Sequence, residues 1–316
     1  MSELKLGISG IELARRFYED CARGTFYSEL GMYMDQITVG LVGEGSECFG
    51  FDDKLSTDHD YGPSFCVWMS QELYGQIGEF AQELYDDLPE EYMGVRFQLR
   101  RETASDRRGV LMTERFYQKF LGGKLLPENN MDWLRIPENY LAVCTNGELF
   151  HAPVTDFTAI RSYLLGFYPE DVRRKKIGAN LVKMAHAGQV NFGRMAQRDD
   201  PVACRLALDQ FIEGAVKTLY LLDKKYCPYY KWMWRGLADV KDEYDIAAKL
   251  RALALGDLSD YKSVSAKIEE IAALIIQLLH AQELSDSGES YLERQAYSVI
   301  DPIEDTQLQR LPIMMG

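Results

Sequence analysis

"GEGSECFGFDDKLSTDHDYGP", residues 43–63, is the stretch on which the fold turns. It carries six carboxylates against one lysine, and no neighbouring segment supplies the opposite charge. Acids this close repel one another, so either the run is a solvated loop or a positive partner arrives. An EF-hand loop fails, because Gly62 and Pro63 follow Asp58 and Asp60 and break the ligand order. A histidine–aspartate phosphohydrolase site at His59-Asp60 fails because no histidine precedes it. Zinc on Cys48, His59 and Cys66 would need irregular spacing with hard carboxylates in between. A divalent-metal site fits better. In an extended strand residues i and i+2 share a face, so Asp58 and Asp60 present two carboxylates side by side. Such a pair suits Mg²⁺ (or Mn²⁺), which completes its shell with substrate phosphates. Gly45 and Ser46, at the start of a turn, would set backbone N–H groups and a hydroxyl against those phosphates.

Working outward, the chain has 316 residues and a formal charge of −14, with 47% hydrophobic residues. That is enough for two domains with buried cores. The negative balance disfavours long nucleic acids and anionic membranes as partners. Six cysteines lie far apart without a C-x-x-C pair, which fits a reducing compartment. The first twenty residues turn quickly into an amphipathic helix rather than a signal peptide, and the longest apolar run, "IAALIIQLL" at 271–279, is too short to cross a bilayer. A cytoplasmic location is expected.

Before about residue 155, helix-like and strand-like segments alternate. Apolar spacing predicts a helix over 10–23, a short β-branched strand in "ITVGLVG" (37–43) and a doubly buried strand in "DYGPSFCVWMS" (60–70). A helix capped by Ser70 should follow, then a strand in "MGVRFQLRRE" (93–102) and a hairpin in "YLAVCTNGELFHAP" (140–153) turning at Asn146-Gly147. Beyond residue 155 period-3.6 patterns dominate, with Pro169 and Pro201 at helix starts. The closing "SVIDPIEDTQLQRLPIMMG" (298–316) reads as a loosely packed or wrapping tail. The expected architecture is α+β over 1–160 with a mixed sheet, followed by an all-helical domain over 161–316.

Gly45-Ser46 followed after eleven residues by Asp58-His59-Asp60 resembles the GS…D-x-D signature of the polymerase-β-like nucleotidyltransferase superfamily. The fuller string is similar to a little-characterised bacterial branch described as a domain of unknown function, in which a nucleotidyltransferase domain precedes a helical one. "NFGRMAQRDDPVA" and "CPYYKWMWRGL" resemble that branch's later motifs. The resemblance implies Mg²⁺-dependent transfer of a nucleoside monophosphate from a triphosphate, expected to be ATP, to a small-molecule or protein acceptor. Asp58 and Asp60 would be catalytic metal ligands, with Gly45 and Ser46 on the phosphates. The superfamily completes its metal site with a third carboxylate on a neighbouring strand. Glu148 is the candidate here, because Ala152 stands near where the branch often carries an aspartate. A weakened metal site opens the alternative of a nucleotide-binding sensor or partner-binding protein of the same fold.

In the helical half, Asn191, Arg194 and Arg198 fall at i, i+3 and i+7. They form either a solvated face or a cationic wall for a triphosphate or an acidic acceptor. In "CPYYKWMWR" at least one tryptophan is expected in the core, with Tyr229 and Tyr230 packed. In the alternative Trp232 stacks a base or ring, with Lys231 and Arg235, at i and i+4, facing phosphates. Arg194, Arg198 and Lys231 complete the expected nucleotide-binding set.

Overall fold

The computed structural model describes residues 7–53, 61–96 and 107–316. Asp58, His59 and Asp60 therefore lie outside the described residues. The chain falls into two compact units, one ending at Pro127 and resuming over Glu138–Gly166, the other comprising Glu128–Pro137 and Phe167–Gly316. The units change over at Gly166–Phe167, whereas residue 160 lies inside the helix Asp156–Leu165.

The first unit is α+β and is built on a mixed sheet. Its strands are β1 (Thr38–Leu41), β2 (Cys66–Met69), a two-stranded ribbon of β3 (Glu91–Tyr92) and β4 (Val95–Arg96), then β5 (Gly109–Met112) and β6 (Glu148–His151). Four of them form one sheet in the order β5-β2-β1-β6. β1 runs antiparallel to β2 with Gly40 opposite Cys66, and β5 runs parallel to β2. β1 and β2 are buried at every position, which is why both read as continuous apolar runs rather than alternating ones.

One face of the sheet packs on Phe17, Phe26 and Leu30 from the helices Gly10–Phe17 and Arg23–Leu30, and on the helix Gln71–Asp86. A single π turn, Tyr18–Ala22, joins the first two of these helices. On the other face Trp68 of β2 stacks on Phe157 with ring centroids 4.1 Å apart. The Ser70 hydroxyl accepts the Leu73 N–H at 3.2 Å, capping Gln71–Asp86 as its sequence implies.

Two expectations for this unit are corrected. The hairpin over 140–153 is absent, because Glu138–Thr145 is a helix and only 148–151 is strand. Leu141, Ala142, Val143 and Cys144 are all buried, and a short apolar run of this kind suits either a buried helix or a buried strand. Gly147, at φ +65°, ends the helix in the left-handed conformation instead of forming a hairpin turn. The strand expected over 93–102 is present only as β4, paired to β3 across the Met93-Gly94 turn; residues 97–102 lie outside the described residues.

The second unit is helical. Glu170–Met184 packs against Pro201–Leu222 and Leu292–Ile300, and Tyr261–Ala281 packs on Ile246–Ala254. Glu170–Met184 runs on through a π segment, Ala185–Phe192, into Gly193–Ala196. Gly188 is buried there, and a Cβ on it would come within 2.4 Å of Phe211, so this glycine serves helix packing. The 298–316 segment is no loose tail. It ends one helix, forms another at Thr306–Arg310, and buries Val299, Ile303 and Leu308. Lys175, itself buried, donates through Nζ to the Leu311 carbonyl at 2.7 Å.

Candidate functional site

The loop leaving β1 carries Gly43, Gly45 and Ser46. Gly43 and Gly45 both sit at φ +128°, a conformation open in practice only to glycine. Asn146 clamps the loop's start. It accepts the Gly43 N–H at 2.9 Å and donates to the Gly43 carbonyl at 2.8 Å. The short 3₁₀ turn Glu47–Phe49 follows, with the Ser46 carbonyl accepting from Phe49 and Phe51 at 3.1 and 2.8 Å.

Glu47 is the seat of this loop. Its side chain is buried and forms an ion pair with buried Arg108, the residue just before β5. The Arg108 guanidinium also lies 3.8 Å from the Cys48 sulfur and donates to the Arg107 carbonyl at 2.7 Å. Burial pushes both neighbouring thiols up, that of Cys66 to about 11, so they are neutral at pH 7 and Glu47 is the charge that faces Arg108. A Cβ on Gly45 would come within 2.5 Å of the Glu47 carboxylate, so the loop lies directly against this pair.

Three of the six acids that crowd residues 43–63 thus have partners supplied from far along the chain. Glu47 pairs with Arg108. Glu44 meets Lys119 at 2.7 Å and Arg107 at 3.8 Å. Asp52, buried, accepts the Gly10 N–H at 2.8 Å and closes the first turn of Gly10–Phe17. For these three the protein itself supplies the partner, although no neighbouring segment does. Their partners lie outside the local sequence window, with arginines 61 and 63 residues away from the acids they meet.

Strand register brings part of the expected set to one end of the sheet. Because β1 and β2 are antiparallel, the loop leaving β1 and the chain approaching β2 lie at the same end of the sheet. β6 places Glu148 opposite Leu41 at that end, while His151 pairs with Val39, so Ala152 falls toward the other end. The loop that carries Gly45 and Ser46 therefore leaves the sheet at the end where Glu148 pairs. Glu148 is half-exposed and ion-paired to Arg15. His151 faces the Met34 carbonyl at 2.9 Å, a structural contact. Among the described residues no group of three His, Cys, Asp or Glu side chains could hold a metal ion.

Arg194, Arg198 and Lys231 are on the helical unit, and all three are exposed. Asn191, Arg194 and Arg198 are not on one regular α-helix. Asn191 is on the wider π segment, and the helix ends at Ala196 before Arg198. Arg198 lies in the turn that follows, 3.8 Å from the Met195 sulfur. Lys231 lies 5.0 Å over the Trp232 ring and Arg235 lies 5.9 Å from it. Packing of the aromatics is corrected as well: Tyr229, Tyr230 and Trp234 are 50%, 72% and 40% exposed, and Trp232 is half-buried. Cys227 and Leu237 are the buried anchors there. Sequence reading passed over Glu47, Arg108 and Lys119. The one local signal was the Arg107-Arg108 pair directly ahead of the "GVLM" strand.

Residues 133–233 match the model of a family described as a domain of unknown function, DUF4037. The match starts before β6, runs through the first later motif and into the second as far as Met233, and does not reach the 43–63 stretch. It does not link the chain to nucleotidyltransferases. No curated protein and no solved structure matches the chain. No described helix is long and apolar enough to cross a membrane.

Proposed function

We propose that the protein is a Mg²⁺-dependent nucleotidyltransferase that moves a nucleoside monophosphate from a triphosphate, ATP in the first instance, to a small-molecule or protein acceptor. The observation that carries this reading is the convergence at one end of the sheet. The glycine loop leaving β1, the approach to β2 that follows Asp58 and Asp60 in sequence, and Glu148 on β6 are gathered there. Gly45 and Ser46 would hold the triphosphate through backbone N–H groups and the hydroxyl. Asp58 and Asp60 would hold the metal, whose chemistry is to neutralise charge on the phosphates. The acceptor hydroxyl would attack the α-phosphorus in line and displace pyrophosphate, with the loop fixed by Glu47 and Arg108.

A second reading, a nucleotide-binding sensor of low turnover, is favoured by one contact. Arg15 already occupies Glu148, so this carboxylate would have to leave an ion pair to complete a metal site.

The test is pyrophosphate release from each ribonucleoside triphosphate, with and without Mg²⁺, beside the Asp58→Ala/Asp60→Ala variant. Release that needs metal and vanishes in the double variant supports transfer. Mg²⁺-dependent triphosphate binding without release, in the presence of candidate acceptors, supports the sensor. Absence of both removes the two readings together.

A further inference from the structure

Along the edge strand β5 the α+β unit forms an open cavity of about 330 Å³, whose Phe116 lies within 3.6 Å of where a Cβ on Gly43 would stand. Residues 110–112 of β5 form its apolar side. Tyr74, from Gln71–Asp86, lines it too, and its ring is held against Gly78, where a Cβ would come within 2.7 Å of the ring. Phe116, from the helix Thr113–Phe120, is fixed by Trp68 and Tyr117 with ring centroids 5.7 and 5.1 Å away. Arg115 and Lys119, one helical turn apart, line the same cavity with exposed side chains. Two cations, Lys119 among them already paired to Glu44, beside the rings of Tyr74 and Phe116 give the cavity a lining that suits an anion with an apolar body.

We propose that this cavity binds a small organic anion with a flat apolar body, its ring between Tyr74 and Phe116 and its carboxylate on Arg115 and Lys119. The inference rests on the cavity alone and stands or falls separately from nucleotidyl transfer. It also couples the cavity to the loop. Lys119 donates to Glu44 at 2.7 Å, and Glu44 immediately precedes Gly45 and Ser46. An incoming carboxylate competes with Glu44 for Lys119 and leaves Glu44 with Arg107, 3.8 Å away.

The experiment is an NMR titration of the full chain, without nucleotide, using phenylacetate, the neutral phenylacetamide and inorganic phosphate as probes. Phenylacetate is expected to bind with Kd about 1 mM. The amide and phosphate should each bind at least about fivefold more weakly, since one lacks the charge and the other the apolar body. Lys119→Met should weaken phenylacetate about three- to tenfold, whereas Glu44→Gln, by removing the competing carboxylate, should strengthen it about two- to fivefold. Leu111→Trp, which fills the cavity, should abolish binding in a chain whose circular dichroism is unchanged. Equal binding of acid and amide overturns the proposal, as does phosphate binding as tightly as phenylacetate. So does a Glu44→Gln variant that binds no better, or absence of phenylacetate binding at about ten times the expected Kd. Lys119 and Glu44 are exposed enough that their substitution leaves the fold intact, so these arms decide even where the tryptophan variant misfolds.

Discussion

Glu47 and Arg108 meet in a buried ion pair directly beneath Gly45, and this pair fixes the conformation of the loop that leaves β1. Two buried charges hold each other only while both are present, because either alone is left uncompensated in a poor solvent for ions. Arg108→Met is therefore expected to destabilise the α+β unit by about 3–5 kcal/mol, and Glu47→Gln by somewhat less because the amide can still accept one hydrogen bond. The double variant Glu47→Gln/Arg108→Met should recover part of that loss, because no uncompensated buried charge remains. Urea denaturation of the four proteins closes the cycle. Additive effects would show that the two side chains contribute independently.

Gly45 is constrained twice, by φ +128° and by the Glu47 carboxylate 2.5 Å from where a Cβ would stand. Gly45→Ala should cost about 1–3 kcal/mol through backbone strain and should weaken Mg²⁺-dependent triphosphate binding in parallel. Gly50 is the control. It is left-handed at φ +67° with open space around its Cβ direction, so Gly50→Asn should change stability by less than about 1 kcal/mol and leave binding alone. Thermal melts and a triphosphate titration on the two variants check both halves.

Much of this architecture was legible in the chain. β1 and β2 announced themselves as apolar β-branched or aromatic runs, Ser70 marked a helix start, and the long helices after residue 155 showed their period. What could not be read was set by distance. Arg108 is 61 residues from the acid it neutralises, and Lys119 is 75 residues from Glu44. No local pattern encodes such pairs. The helix Glu138–Thr145 was misread for a different reason: "YLAVC" is apolar without clear periodicity, and Asn146-Gly147 suits a helix end as well as a hairpin. Of the two readings of the closing segment, loose packing fails: Pro302 and Pro312 suggest irregular chain, whereas buried Val299, Ile303 and Leu308 anchor it.

Buried thiols give the α+β unit an alkaline limit. Burial raises Cys66 from an ordinary value near 9 to about 11, and raises Tyr18 to about 12. A group whose folded pKa is raised gives stability that is complete below its unfolded pKa and lost as pH climbs through the folded value. Stability of this unit should thus be flat near neutrality and fall between about pH 9 and pH 11, by on the order of 2 kcal/mol for Cys66 alone. Cys66→Ala, although it introduces a small cavity, should flatten that slope. Urea midpoints at pH 8, 9, 10 and 11 measure it, and an unchanged slope in the variant would assign the effect to other groups.

Lys175 supplies the corresponding test in the helical unit. Its side chain is buried, its Nζ donates to the Leu311 carbonyl at 2.7 Å, and burial lowers its pKa. Below the ordinary lysine value the unfolded chain binds this proton more readily than the folded one, so stability rises with pH through the window between the two values. Replacing the cation with an apolar side chain of similar length removes the cost of keeping charge out of water, and the Leu311 carbonyl, only half-buried, can turn to solvent. Lys175→Met is accordingly expected to stabilise the protein by about 1 kcal/mol at pH 7, with the advantage shrinking as pH approaches the ordinary lysine range. Lys175→Glu should instead release the 311–316 segment, because its carboxylate would face the Leu311 carbonyl oxygen. Paired melts at pH 7 and pH 10, with limited proteolysis to report cleavage near residues 311–316, separate the two substitutions. A wild-type chain more stable than Lys175→Met at pH 7 would mean that the lysine's hydrogen bond outweighs its burial.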